Sequence, residues 1–292
     1  MSNKVRILIV IVLVIAGIGV MVYPSLSNYI NTIHSSYAVQ ELSQQLNNVD
    51  TRMLEQQRQL AEAYNDNLTG MVEDAFNEED TADRGDYEKI LDFGNGIMGY
   101  IQIPKIGVEL SIYHGVSDAV LQKGVGHMPD SAFPIGGPGN HAVLTGHTGL
   151  PSAELFTDLT ELAEGDMFYV TILGETLAYE VDQIVVVLPY EVEELVPSRG
   201  RDYCTLVTCT PYGINSHRLL VRGERVQMDQ KTIKKQVASV SEESVKMPTE
   251  LILAIAAVAV LLMIALIVLL KREKKEEPQN STEEHDSPEK KE

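Results

Sequence analysis

The sequence predicts a mainly β protein: a closed β-barrel with short helices, preceded by an N-terminal helical segment and flanked by two transmembrane helices. Three observations carry that expectation. Two runs contain no charge, Ile7 to Val22 (ILIVIVLVIAGIGVMV) and Leu251 to Leu270 (LILAIAAVAVLLMIALIVLL). Between them, over residues 95–227, short alternating segments follow one another with few long helices, the pattern of a closed or nearly closed barrel. Ahead of that region, apolar residues recur at roughly helical spacing.

The second uncharged run is about 20 residues, enough to span a ~30 Å hydrocarbon core at ~1.5 Å per residue. The first is slightly shorter and extends through Tyr23, which suits an interface. Residues 1–24 therefore read as an N-terminal anchor or as a signal, with Lys4 and Arg6 as the basic start and Ser25-Leu26-Ser27 as a small-x-small cleavage site. Neither run has a polar face, which argues against a buried core helix. Lys4 and Arg6 precede the first run, and Lys271, Arg272, Lys274 and Lys275 follow the second. This charge bias predicts a two-pass cell-membrane protein with both termini cytoplasmic and the region between them exported. Residues 248–270 form the second span, and the tail, 271–292, is too polar to fold. The net charge is −19, and no basic stripe is present, so no nucleic-acid partner is expected.

Residues 25–94 read as a helical segment. Ile30, Ile33, Tyr37, Leu42, Leu46, Val49, Met53, Leu60 and Tyr64 form its apolar stripe, as one long or two shorter helices that pack on the following domain. From Met71 to Asp92 the chain becomes acidic, as in a surface segment. Strands are expected at Tyr100–Pro104, Val108–Ile112, His141–Thr145, Met167–Leu173, Leu177–Leu188, Tyr203–Cys209 and Arg218–Val226, with Gly174-Glu175 as a hairpin signal. Short helical pieces interrupt them near 118–121 and 155–162. Residues 228–247 are a charged linker to the second span.

The chain has two cysteines, Cys204 and Cys209, in a compartment that permits disulfides. Five residues apart in one strand, they face opposite sides at roughly 16 Å, given ~3.3 Å per residue. A disulfide needs Cα atoms within about 7 Å, so these two do not pair and at least one thiol is left for chemistry. A cysteine is a nucleophile only as thiolate, which requires a nearby cation or base. His141 and His147 flank the strand AVLT, and His147 lies just past its end. The loop TPYGINS returns the chain into a strand beginning at Arg218. If the strands ending at Cys209 and starting at Arg218 are antiparallel neighbours, thiol and guanidinium meet at one rim. The arginine can then stabilise a thiolate, orient a substrate or hold an oxyanion.

Plainer roles compete with each assignment. Cys204 reads as buried packing; His34, His114, His127 and His217 read as satisfied loop residues; Arg222 shares a face with Arg218 and could replace it. Zinc binding by Cys204, Cys209 and histidines is disfavoured, because structural sites use C-x(2–4)-C spacing in a turn.

TLVTC, with Arg218 nine residues after Cys209, closely resembles the sortase signature, and LTGHTG around His147 resembles that family's histidine motif. The similarity covers about residues 94–226, including GYIQIPKIGV and LVTCTPYGINSHRLLVRGER. Two spans and an extended N-terminal segment resemble class C, the pilin-polymerising branch of Gram-positive bacteria. The resemblance implies a sortase-type barrel with Cys209, His147 and Arg218 as catalytic residues and no cofactor. It implies a cysteine transpeptidase: Cys209 attacks the Thr–Gly bond of an LPxTG-like sorting signal, and a lysine of another pilin subunit resolves the thioester. It also implies a lid with an Asp-Pro-aromatic motif; here the match is Asp74-Ala75-Phe76, with alanine in place of proline. Asp74 would pair with Arg218 and Phe76 would cover Cys209. The competing readings are a housekeeping sortase that anchors proteins to peptidoglycan and a non-catalytic pilin-binding scaffold.

Overall fold

A computed structural model describes residues 3–68, 86–93, 96–244 and 246–273. The chain divides into two compact units, Pro24–Pro248 and, separately, Met1–Tyr23 with Thr249–Glu292. Two described helices are long and apolar enough to cross a membrane, α1 (Asn3–Asn48) in its N-terminal part and α5 (Thr249–Glu273).

α1 ends just ahead of Asp50, whose carboxylate accepts the Arg52 N–H at 2.9 Å and caps α2 (Thr51–Asp66). The expected apolar stripe packs on the barrel only in part: Leu42, Leu46 and Tyr64 do so, whereas Ile30, Tyr37, Met53 and Leu60 are exposed. Leu42 and Leu46 cluster with Ile97, while Ala61 is fully buried in the main core. Asn65 fastens α2 to a loop, accepting from the Phe133 N–H at 2.8 Å and donating to the Phe133 carbonyl at 3.2 Å.

The strands are β1 (Ile97–Ile103), β2 (Val108–His114), β3 (Val125–His127), β4 (His141–Thr145), β5 (Met167–Ile172), β6 (Glu175–Val187), β7 (Tyr203–Thr210) and β8 (His217–Val226). They close into a barrel in the order β1-β2-β3-β4-β7-β8-β6-β5. A short helix, α3 (Asp118–Leu121), lies between β2 and β3. The β5–β6 hairpin turns on Leu173 and Gly174, both with positive φ (54° and 78°), the backbone of a two-residue type I′ turn. Most neighbours are antiparallel, but β2–β3 and β4–β7 run parallel.

Strand alternation separates two apolar clusters. Ala142, Leu144, Cys204, Leu206, Leu219 and Val221 point into the main core. Val143, Val207 and Leu220 point outward into a second cluster with Leu121 of α3 and Leu195. The interior is tightly filled: a Cβ at Gly223 would lie 2.5 Å from the Phe168 ring, so only glycine fits there.

Three features depart from the expectations. β3 is three residues long and has no counterpart among the expected strands. Residues 230–244, within the expected linker, form helix α4 (Gln230–Ser244), whose Ile233 is buried with Tyr169 and Ala178. The four histidines read as loop residues are all in regular elements: His34 in α1, His114 in β2, His127 in β3 and His217 in β8. His127 is fully buried and stacks on Phe133 at 4.9 Å. Its Nδ1 lies 2.9 Å from the Tyr87 hydroxyl and its Nε2 2.9 Å from the Ala132 carbonyl.

Candidate active site

The site is built by register. β7 and β8 form an antiparallel hairpin in which Cys209 stands opposite Arg218. Side chains directly opposite share a face, and here the Arg218 Nη1 donates to the Cys209 sulfur at 3.6 Å. The same guanidinium nitrogen lies 3.4 Å from the carbonyls of Asn215 and His217. Those two contacts hold it over the loop that carries the chain from one strand to the other. Within that loop the Ile214 and Asn215 N–H groups donate to the Pro211 carbonyl, and Asn215 takes a left-handed conformation (φ 57°).

His147 arrives from the opposite side. β4 runs parallel to β7, with Thr145 beside Val207. The ladder continues past the end of β4: the Gly146 N–H donates to the Val207 carbonyl at 3.0 Å, and the Thr208 hydroxyl donates to the Gly146 carbonyl at 2.7 Å. Extending the same register two residues past Thr145 sets His147 level with Cys209. Extended in this way, the register lines up histidine, just past β4, with cysteine on β7 and arginine on β8 in one row at the barrel rim. Gly146 is required by packing, because a Cβ there would meet the Phe156 ring at 2.6 Å.

The electrostatics suit nucleophilic chemistry. Cys209 is part-exposed, whereas Cys204 is completely buried in the core, where burial pushes its thiol well above the ordinary range. The always-charged guanidinium beside Cys209 favours a thiolate there. Burial holds the His147 imidazole below its usual pKa, and Asp118 opposes that shift from 3.7 Å at Nε2. Asp118 was not among the residues singled out by sequence. It lies 29 positions before His147, and only the folding of α3 against the barrel rim makes them neighbours.

Arg222, the alternative arginine, is engaged elsewhere. It pairs with Asp182 through Nη2 at 2.7 Å and Nε at 3.1 Å, lies 4.4 Å above the Tyr203 ring, and stands opposite Thr205 rather than Cys209. His141 opens β4 and is buried, with Nε2 2.7 Å from the Thr205 hydroxyl. Among the described residues no group of three or more His, Cys, Asp or Glu is arranged to hold a metal ion. Asp74, Ala75 and Phe76 lie outside the described residues.

Comparison with known proteins agrees with this architecture. The family described as "Sortase domain" matches residues 101–226. Sortase A of Bacillus anthracis is 31% identical over 130 residues, covering 44% of this chain and 60% of that protein. Sortase D of Bacillus subtilis is 31% identical over 140 residues, covering 44% and 63%. The chain therefore spans less than two thirds of the length of these curated relatives. Among solved structures, sortase C-1 from Streptococcus pneumoniae is 42% identical with a TM-score of 0.63, covering 66% of this chain and 100% of that one. Sortase C-1 from Actinomyces oris is 49% identical (TM-score 0.58, 60% and 99% covered). The pilus-related sortase C of Group B Streptococcus is 40% identical (TM-score 0.61, 65% and 97% covered). A barrel closed in this order, matched over nearly the whole of several solved sortase C chains, leads to one conclusion: the chain belongs to the sortase family.

Proposed function

We propose that the protein is a membrane-anchored cysteine transpeptidase that cleaves an LPxTG-like sorting signal between Thr and Gly and joins pilin subunits through a lysine isopeptide bond. The observation that carries this reading is the Arg218–Cys209 contact at 3.6 Å with His147 in the same row. The Cys209 sulfur adds to the Thr carbonyl carbon, and Arg218 offers charged N–H groups to the developing oxyanion. Collapse breaks the C–N bond; His147 gives its proton to the departing glycine amine, leaving an acyl thioester. The Nε amine of a pilin lysine then attacks the thioester, passes a proton to neutral His147 and expels the thiolate.

The lysine acceptor and the pilin substrate are suggested by the likeness to sortase C structures, one of them described as pilus-related. The Lys4, Arg6 and Lys271–Lys275 flanks support a topology with both termini in the cytoplasm and the barrel on the outer side. The test uses full-length protein in nanodiscs with a pilin pair, one bearing LPxTG and one bearing acceptor lysines. Thioester capture on Cys209 and a lysine-linked dimer are expected. A thioester resolved only by peptidoglycan cross-bridge peptides would favour the anchoring reading, and no acyl-enzyme at all would favour a scaffold. Replacing Arg218 with Lys removes the fork but keeps the charge, and should lower kcat by about 10²-fold or more, the scale of losing an oxyanion donor.

A further inference from the structure

We infer that Asp118 is a positioning residue for His147, fixing which ring nitrogen carries the proton and favouring the cationic ring. The inference rests on the proposed role of His147 and deepens it. Asp118 opens α3, the short helix that packs its Leu121 into the outward-facing cluster on β4 and β7. The backbone of α3 is tied down at both ends: the Val120 and Leu121 N–H groups donate to the Ser117 carbonyl at 2.9 Å, and the Gln122 N–H donates to the Asp118 carbonyl at 3.0 Å. The Asp118 carboxylate is thereby held 3.7 Å from His147 Nε2, within reach of a hydrogen bond after a small closure of the ring.

Among the described residues, the charged or titratable groups on the elements around His147 include Asp118 on α3, Cys209 on β7, Tyr212 on the β7–β8 loop, His217 and Arg218 on β8, and Glu154, Asp158 and Glu161 on the connection that follows, where the Phe156 N–H donates to the His147 carbonyl. Burial of the ring disfavours its positive charge. Asp118 opposes that effect from 3.7 Å at Nε2. With Nε2–H turned to Asp118, the neutral ring is the tautomer whose Nδ1 carries the acceptor lone pair.

Asp118 is 64% exposed, so replacing it leaves the barrel core untouched. The test follows the imidazole directly, in the full chain in nanodiscs with ¹³C-labelled histidine, the His147 resonance being assigned by its loss in His147→Gln. In Asp118→Asn the His147 titration should move down by about half a pH unit, the scale of a half-exposed pair, while Asp118→Glu should restore it. Near neutral pH, kcat should fall about threefold in Asp118→Asn with KM unchanged, since half a pH unit is about a threefold change in the protonated fraction. An Asp118→Asn protein whose His147 titrates as in the wild type overturns the inference. Transpeptidation that survives in His147→Gln would instead overturn the site reading, and is read separately because the titration needs no substrate.

Discussion

Lowering the pH from 7 to 5 should destabilise the barrel, chiefly through two buried imidazoles. His127 is fully buried between Tyr87, Phe133 and the Ala132 carbonyl, and burial pushes its pKa down to about 3. His141 is held at about 4, by burial and by Arg222 nearby. Both folded values lie below the unfolded value of about 6.5. Between those limits the unfolded chain binds protons that the native state excludes, so stability present above pH 6.5 is lost as the pH falls. At pH 5 the deficit is about 1.5 units below the unfolded pKa, or about 2 kcal/mol for each histidine at 1.36 kcal/mol per unit. The two together cost about 4 kcal/mol, a large share of the 5–15 kcal/mol typical of a folded protein. The figure is insensitive to the folded values, since both lie beneath pH 5. Asp202, whose carboxyl burial pushes upward, works in the opposite sense and trims the total. The chain has no tryptophan, so pulse proteolysis across a urea series, with full-length protein in detergent, is the suitable assay. An unfolding free energy that changes by less than about 1 kcal/mol over this interval would refute the argument that these rings are buried neutral.

Three further outcomes are expected. A small thiol reagent should label Cys209 and not Cys204 in the native protein, and both in urea; Cys209→Ala should abolish transpeptidation while Cys204→Ala retains most of it, and equal losses would mean the two faces of β7 were wrongly assigned. Protease added to intact protoplasts should cut the barrel region and spare the C-terminal tail, whereas a mature N-terminus near Asn28 would point to a cleaved signal. Replacing Asp74 and Phe76 together with Ala should speed labelling of Cys209, because a surface ion pair (about 0–1 kcal/mol) and one buried Phe (about 1.5–3 kcal/mol) would hold a lid only weakly closed. Ala75→Pro should slow that labelling, and a double mutant that labels no faster than wild type would exclude the lid.

The barrel was legible because its strands alternate and its turns carry glycine, and the juxtaposition of Cys209 with Arg218 follows from a single hairpin whose register a nine-residue separation allows. Sequence periodicity reports which way a side chain faces but not which strand lies beside it. The parallel pairing of β4 with β7, which brings His147 into the row, had no local signal. The same limit hid β3, whose Val125-Gly126-His127 is too short to show a period. It also hid the approach of Asp118 to His147, which depends on where α3 lands. Helix α4 went unread for a different reason: Lys231, Lys234 and Lys235 are exposed, and its contact with the barrel is carried by few apolar side chains such as Ile233.

The row of three strands also bears on the order in which the molecule matures. Cys209 and Arg218 are neighbours along the chain, joined by a short loop, and closing so small a loop costs little entropy. His147 lies 62 residues before Cys209, and its arrival waits for a parallel pairing between distant segments, the slow kind of contact in barrel folding. A folding chain therefore brings the thiol beside its arginine before His147 joins them. On the proposed reading, acyl transfer waits for that long-range pairing, and an incompletely folded copy would not complete the exchange of one substrate for another.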